Sequence, residues 1–275
     1  MTYIISEIGI NHNGDIELAK ELILKSKKSG CDAVKFQKRD IESVYTKEEL
    51  DTPRESPFGT TTREQKEGIE FSIEQYKELE KFSKEQGLEF IVSCWDKVSL
   101  DLVEEHLDVK YHKVASALAT DKTFLQKLND TKKPIILSVG MCTQEEVDAA
   151  VDILDNVEYI LACTSTYPTK AEELNLKYVQ TLKENYSNIK VGFSNHYNGM
   201  DACVGSIAFG AECVEFHITK DRTMYGSDQP ASIQDSDDLV DAIRKMEVMI
   251  GDGVKKVYDS EVPIAQKLRK VNDIV

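Results

Sequence analysis

Two histidines near the end of the chain, His196 and His217, each follow a short β-like run, Ile189 to Phe193 and Glu212 to Phe216. Polar or acidic residues stand close before them: Ser194 and Asn195 before the first, Glu215 two residues before the second. Two imidazoles at the ends of successive parallel strands can hold one divalent metal from adjacent positions. Glu7 ends the first strand-like run and is available to the same ion. Imidazole with carboxylate and water suits Mn, Fe, Co or Zn better than Ca. One isolated histidine would read as a satisfied polar residue; two at equivalent strand ends read as a metal site.

Lys35 and Lys113 lie inside strand-like apolar runs, where an unpaired ammonium is costly. Either alone fits a snorkelling residue or a salt-bridge partner. Together, with the hydroxyls of Ser116, Ser138 and Ser194 from other strand ends, they make a pocket for a phosphorylated carboxylate. His12 follows the first strand and can orient a substrate or cap the turn before the first helix. His106 reads as a surface helical residue. His112 alternates away from the site, because its neighbour Lys113 points inward. The segment Gly226 to Ser232 is a substrate loop or an ordinary loop before the last helix, and Asp228 in it can bind a sugar hydroxyl.

These residues need a frame that gathers many strand ends. Short apolar runs near residues 3–8, 32–37, 88–93, 111–115, 134–138, 158–163, 189–193 and 212–217 alternate with amphipathic helical stretches. That alternation predicts a parallel sheet with crossover helices. Helical spacing is plain from Ile16 to Lys25. Ser72, Asp121 and Thr143 are N-cap candidates, and the last helix runs from about Ser236 to Ile250 before Gly251. The expected fold is α/β, a (β/α)8 TIM barrel, in which catalytic residues sit at the C-terminal strand ends. An open doubly wound sheet is the alternative, but no G-x-G-x-x-G or Walker loop follows any strand. One domain is expected over 1–275. It carries a polar insertion at about 38–71 without sustained periodicity, folding over the barrel mouth or making a solvated excursion.

The 275 residues include 34 Lys and Arg against 49 Asp and Glu, a net charge of −15. That balance argues against nucleic acid or an anionic membrane as partner. An anionic substrate must then be held by local cations against the global field. Six scattered cysteines without a C-x-x-C pair predict reduced thiols and a cytoplasmic protein. No signal peptide or apolar span is visible.

The motifs resemble the sialic acid synthases, the phosphoenolpyruvate-dependent N-acetylneuraminate synthase family. The matching stretches are Glu7 to Gly14, Val34 to Gln37, Lys133 to Met141, Cys163 to Pro168, Gly192 to His196, and Glu215 to Thr219 with Gly226 to Asp228. Phe58 to Ser72 looks like the animal-type members. The resemblance implies that phosphoenolpyruvate C3 adds to the aldehyde of an open-chain sugar, metal-activated water attacks C2, and phosphate leaves. It implies that Lys35, Gln37, Lys113, Ser116, Ser138 and Ser194 hold phosphoenolpyruvate. His196 and His217 would bind Mn, with Mg or Co as alternatives; Glu7 would act beside the metal; Tyr167 and Asp228 would contact an N-acetylmannosamine-like sugar, free or 6-phosphorylated.

The chain departs from the family pattern at four places. Ala115-Ser116-Ala117-Leu118 replaces a run carrying an acidic or polar residue. Asn195 and Phe216 precede the two histidines in place of an acidic or small residue and a basic one, and Gln229 stands where a histidine is common. The sequence stops where many members continue into an antifreeze-like domain. The expectation is a catalytic barrel acting as a homodimer, with a separate protein as one source of that domain. Another 3-deoxy-ulosonic acid synthase and an inactive sugar-acid-binding barrel are the competing readings.

Overall fold

The computed structural model describes residues 1–270. Along the chain come β1 (Tyr3–Gly9), β2 (Ala33–Lys38), β3 (Pro53–Ser56), β4 (Gly59–Thr61), β5 (Glu89–Cys94), β6 (His112–Val114), β7 (Ile135–Ser138), β8 (Val157–Cys163), β9 (Lys190–Asn195) and β10 (Cys213–His217). All but β3 and β4 form one closed barrel, in which every neighbouring pair is parallel and β10 returns to β1. The expected TIM barrel is therefore the fold, with all eight strands where the apolar runs place them.

The helices are α1 (Ile16–Ser29), α2 (Ile41–Val44), α3 (Lys47–Leu50), α4 (Thr62–Ile69), α5 (Ile73–Glu85), α6 (Lys97–His106), α7 (Lys122–Asp130), α8 (Gln144–Ile153), α9 (Tyr178–Asn185), α10 (Asp201–Ala208), α11 (Ser236–Ile250) and α12 (Val262–Leu268). Ser72 and Thr143 close reciprocal capping boxes with Gln75 and Glu146, and the Asp121 carboxylate accepts from the Thr123 and Phe124 amides. Each cap satisfies amide donors that the first helical turn leaves unpaired. No helix among the described residues is long and apolar enough to cross a membrane.

Side-chain alternation decides what the barrel encloses. On β1 the inward series is Tyr3, Ile5, Glu7; on β6 it is Tyr111, Lys113; on β7 Ile136, Ser138; on β10 Cys213, Glu215, His217. Each series runs from apolar at the N-terminal end to polar at the C-terminal end. Tyr3, Tyr111 and Tyr159 cluster at the bottom, with ring centroids 5.9 to 6.3 Å apart. Ile5, Ile91, Ile136 and Leu161 fill the middle. Burying each such side chain contributes roughly 1.5–3 kcal/mol. The intervening residues, such as Ile4, Val34, Phe90, Leu137, Phe193 and Phe216, face outward and pack with the helices. The apolar floor thus fixes the strands that carry the polar top.

The stretch after β2 is not the structureless loop that its composition suggests. It folds into α2, α3, the β3–β4 hairpin and α4, with capping boxes at Thr46 and Thr61. Helices this short leave no run long enough to show periodicity. The end of α4 lies against the turn after β1. There Gly14 has φ +72°, and a Cβ would stand 2.0 Å from the Gly68 carbonyl oxygen. Only glycine accepts both that backbone conformation and that approach.

Candidate active site

The C-terminal ends of the barrel strands surround a cavity. Its wall includes Glu7, Lys35, Gln37, Lys113, Ser116, Ser138, Tyr167, Ser194, His196 and His217. Every site residue read from the sequence except Asp228 is in that wall. Asp228 lines a second cavity, which shares Gln37, Trp95 and Tyr167 with the first.

Four buried charges form the cavity floor. Lys35 Nζ lies 2.6 Å from Glu7 Oε2 and 3.8 Å from Glu215 Oε1. Lys113 Nζ lies 3.2 Å from the same Glu215 oxygen, and the Ser194 hydroxyl donates to it at 3.1 Å. Gln37 Nε2 donates to Glu7 Oε1 at 2.7 Å. Two ammonium groups thus face two carboxylates, which is how a barrel interior tolerates four ions. Burial pushes the Glu215 carboxyl up, but Lys113 and Lys35 outweigh it and bring it down to about 2. Burial draws Lys113 below its ordinary range despite Glu215. Lys35, facing both carboxylates, is held above its ordinary value although burial opposes this.

The hydroxyls differ in what they already bind. Ser116 Oγ accepts from the Gly140 amide at 2.9 Å. A Cβ at Gly140 would meet Ser165 Oγ at 2.3 Å and Ser116 Oγ at 2.9 Å, so the β7 turn has no room for a side chain. Ser138 Oγ is buried and has no hydrogen-bond partner among the described residues. A buried polar atom without a partner costs about 1–3 kcal/mol, which a ligand at this wall would remove.

His196 and His217 stand over this floor with ring centroids 5.3 Å apart. His196 Nδ1 lies 2.8 Å from the Thr164 carbonyl and 3.5 Å from Cys163 Sγ. Donation to the carbonyl leaves Nε2 as the acceptor, and the Tyr167 hydroxyl reaches it at 2.8 Å. A fixed tautomer of this kind is what a metal-ligating histidine requires. Burial lowers the His217 pKa against the pull of Asp228 and Glu7, which keeps the ring neutral. Its Nδ1 lies 3.4 Å from Asp228 Oδ2 and makes no hydrogen bond among the described residues. Burial lowers the His196 pKa, but Cys163 and the Thr164 carbonyl outweigh it and raise it above the ordinary value, so a divalent cation at these two oriented imidazoles would have to displace any proton from His196. Among the described residues no group of three or more His, Cys, Asp or Glu side chains is arranged to hold one.

The other histidines are elsewhere. His12 stacks on Phe71 at 4.1 Å and accepts from the Gly14 amide at 3.1 Å, so it caps the turn. His112 points out of the barrel, 3.0 Å from Glu104. His106 is half-buried at the end of α6.

Glu215 had no role in the sequence reading. The signal was available, because period-two alternation on β10 puts it inward whenever His217 is inward. Arg39 was also missed, hidden in the polar stretch after β2. Its guanidinium stacks 4.1 Å from the Trp95 ring at the cavity mouth. The departures from the family pattern have structural explanations. Asn195 donates to the Tyr197 carbonyl and accepts from the Tyr197 amide, Phe216 is core, and Gln229 is buried with Nε2 donating to the Asn11 and Tyr225 carbonyls. Ala117 lines the cavity, whereas Leu118 packs on the core.

The NeuB family profile matches residues 22–255. The chain belongs to the NeuB family. It is 35% identical over 275 residues to N-acetylneuraminate-9-phosphate synthase of Mus musculus, covering 98% of this chain and 76% of that protein. It is 35% identical over 281 residues to N,N'-diacetyllegionaminic acid synthase of Legionella pneumophila, covering 98% and 78%. The crystal structure of N-acetylneuraminic acid synthetase from Leptospira borgpetersenii superposes with a TM-score of 0.81 at 28% identity, covering 98% of this chain and 93% of that one. This NeuB-family barrel is accordingly a sialic-acid-type synthase, a transferase of carbohydrate biosynthesis.

Proposed function

We propose that this synthase condenses phosphoenolpyruvate with an open-chain, N-acetylmannosamine-like aldose, giving a 2-keto-3-deoxy sugar acid and phosphate. The observation that supports the assignment of atoms is that Lys35, Lys113 and the buried Ser138 hydroxyl line one cavity together with the two histidines. A phosphorylated carboxylate is the ligand whose charges those groups answer. The reading takes residues 1–275 as one catalytic barrel domain.

Phosphoenolpyruvate lies across the floor, with its carboxylate and phosphate toward Lys35, Lys113 and Ser138. C3 forms a bond to the aldehyde carbon, and the aldehyde oxygen, left as an alkoxide, becomes a hydroxyl by taking up one of the two protons of the water that adds next. C2 is left electron-poor and water adds to it. Glu7, held by Lys35 and Gln37 at the edge of the floor, takes the other proton from that water. The C2–O bond to phosphate then breaks, the ketone forms, and phosphate departs. Tyr167 and Asp228 border the path to the outer cavity and orient the sugar. His196 and His217 would hold a divalent cation, Mn in this reading, whose contribution when bound is to polarise the aldehyde as a Lewis acid. Holding both reactants in line supplies the proximity advantage of an intramolecular reaction.

The test is phosphate release from phosphoenolpyruvate with Mn present, against paired free and 6-phosphorylated aldoses that include N-acetylmannosamine and mannose. Release with one sugar, lost on chelation, is the expected result. Measurable phosphoenolpyruvate binding without release from any pair overturns the acceptor reading.

A further inference from the structure

Period-two alternation carries the inward series of β2 one step past the strand, as Lys35, Gln37 and Arg39. The first two line the reaction cavity, and Gln37 and Arg39 line the outer one. Backbone contacts on either side set where Arg39 lies. The Trp95 amide donates to the Lys38 carbonyl at 3.0 Å, and the Asp40 amide donates to Asp96 Oδ2 at 2.8 Å. These bonds tie the turn after β5 to the link after β2, and the guanidinium lies over the Trp95 ring, 4.1 Å from its centroid. Among the described residues no carboxylate lies within 4.0 Å of that guanidinium, and its Nε is buried without a hydrogen-bond partner. An aromatic face positions a cation without neutralising it.

What the guanidinium does engage is Gln37. Arg39 Nη2 donates to Gln37 Oε1 at 2.5 Å, and Gln37 Nε2 donates to Glu7 Oε1 at 2.7 Å. A guanidinium can only donate and a carboxylate can only accept, so one orientation of the amide between them answers both. The charge beside its oxygen also polarises the amide and strengthens the donor at the other end. Glu7 is thus met at both oxygens, by Gln37 at Oε1 and by the Lys35 ammonium 2.6 Å from Oε2. The contact has little slack, since a Cβ at Gly9 would stand 2.9 Å from Glu7 Oε1 and 3.1 Å from Gln37 Nε2.

We infer that Arg39 is a positioning residue for the condensation, acting through Gln37 to aim the Glu7 carboxylate at the water that adds to C2. This rests on the synthase reading above, which makes Glu7 the acceptor of that proton. A base must sit within hydrogen-bond reach of the proton it takes, and a misplacement of about 1 Å can cost about 100-fold in rate. Without Arg39 the Gln37 amide oxygen loses its donor. The side-chain torsions of Gln37 are then free to carry the amide away from Glu7, and only Lys35 holds the carboxylate.

The experiment is a double-substitution cycle of Arg39→Met and Gln37→Met with two readouts. Arg39→Met keeps an apolar stem against Trp95 and removes the donors. The first readout needs no turnover. It follows the Gln37 side-chain amide protons by NMR in isotope-labelled protein, assigned by their loss in Gln37→Met. A proton donated to a carboxylate resonates downfield and exchanges slowly with solvent. In Arg39→Met that signal should move upfield and exchange faster, and an unchanged signal overturns the inference whatever the turnover. The second readout is kcat and KM from phosphate release with Mn, phosphoenolpyruvate, and N-acetylmannosamine or its 6-phosphate. Arg39→Met should lower kcat about 10- to 100-fold and leave the acceptor KM within about twofold. In the Gln37→Met background the same substitution should cost less than about twofold, because the residue it acts through is gone. An equal loss in both backgrounds, or a loss confined to the acceptor KM, overturns the inference and leaves the synthase reading standing. If neither sugar releases phosphate while the amide signal responds, the synthase reading with these acceptors falls, and Arg39 loses its task with it.

Discussion

The Glu215 carboxylate lies 3.2 Å from the Lys113 ammonium, both of them buried at the centre of the barrel. Glu215 therefore answers a charge that an incoming phosphorylated carboxylate must also engage. Glu215→Gln keeps the shape and removes the charge, so two lysines are left with Glu7 alone. Breaking a buried pair costs about 3–5 kcal/mol. The ligand-free variant should melt well below wild type, and phosphoenolpyruvate should recover more of the loss than it adds to wild type. Equal melting temperatures without ligand would show that the pair is not a source of stability.

Ser138 separates binding from folding. Its hydroxyl is buried and unpartnered, so Ser138→Ala removes a polar atom that the ligand-free fold does not use. Stability should be unchanged or slightly higher. The KM for phosphoenolpyruvate should rise about tenfold, the worth of one hydrogen bond to a charged group. A large fall in melting temperature would assign the hydroxyl a structural role instead.

His196 and His217 can be tested on the metal alone. Mn binding to wild type, His196→Ala and His217→Ala, followed by calorimetry or electron paramagnetic resonance, should show each substitution weakening affinity by more than the 10- to 100-fold that loss of an outer-shell partner costs. The Thr164 carbonyl still orients His196 when His217 is replaced, and β10 still carries His217 when His196 is replaced, so the fold should survive, as circular dichroism can check. Unchanged Mn affinity and full activity in the double variant would remove the metal assignment.

What could be read from the sequence follows from periodicity. Strands of one side-chain period, separated by amphipathic helices, fix the barrel, and inward lysines mark its floor because burial makes them conspicuous. Glu215 was equally inward, but beside His217 it passed as part of a polar cluster. Its meaning depends on Lys113, which lies far away in sequence and faces it across the barrel. Arg39 was harder still. Arg39 sits in the short link between β2 and α2, and nothing in such short segments says which cations lack a partner.

Gly14 tests how the insertion is held. Gly14→Ala adds a Cβ that would stand 2.0 Å from the Gly68 carbonyl, at a φ of +72°. Backbone strain alone costs about 1–3 kcal/mol, and the clash must push the end of α4 away. The variant should lose stability and become sensitive to limited proteolysis within residues 39–70. If cleavage there does not change, the contact between α4 and the β1 turn is not what holds the insertion.

Acid stability carries a signature of His12. Burial lowers its pKa from 6.5 to about 3, and the weaker pulls of the Gly9 backbone and Asp15 do not offset it. His112, buried against Glu104, is lowered to about 4. A histidine depressed in the folded state is protonated first in the unfolded chain. Its contribution is therefore complete above pH 6.5 and is lost as pH falls towards the folded value, at about 1.4 kcal/mol per pH unit for each group. Glu215 follows the same direction lower down, between its ordinary 4.5 and about 2. His12→Asn keeps an acceptor for the Gly14 amide and removes the titration. Between pH 7 and pH 5, wild type should lose about 2 kcal/mol more than the variant in urea unfolding, while His112 acts equally on both. Parallel losses in the two proteins would mean that His12 does not titrate in this window.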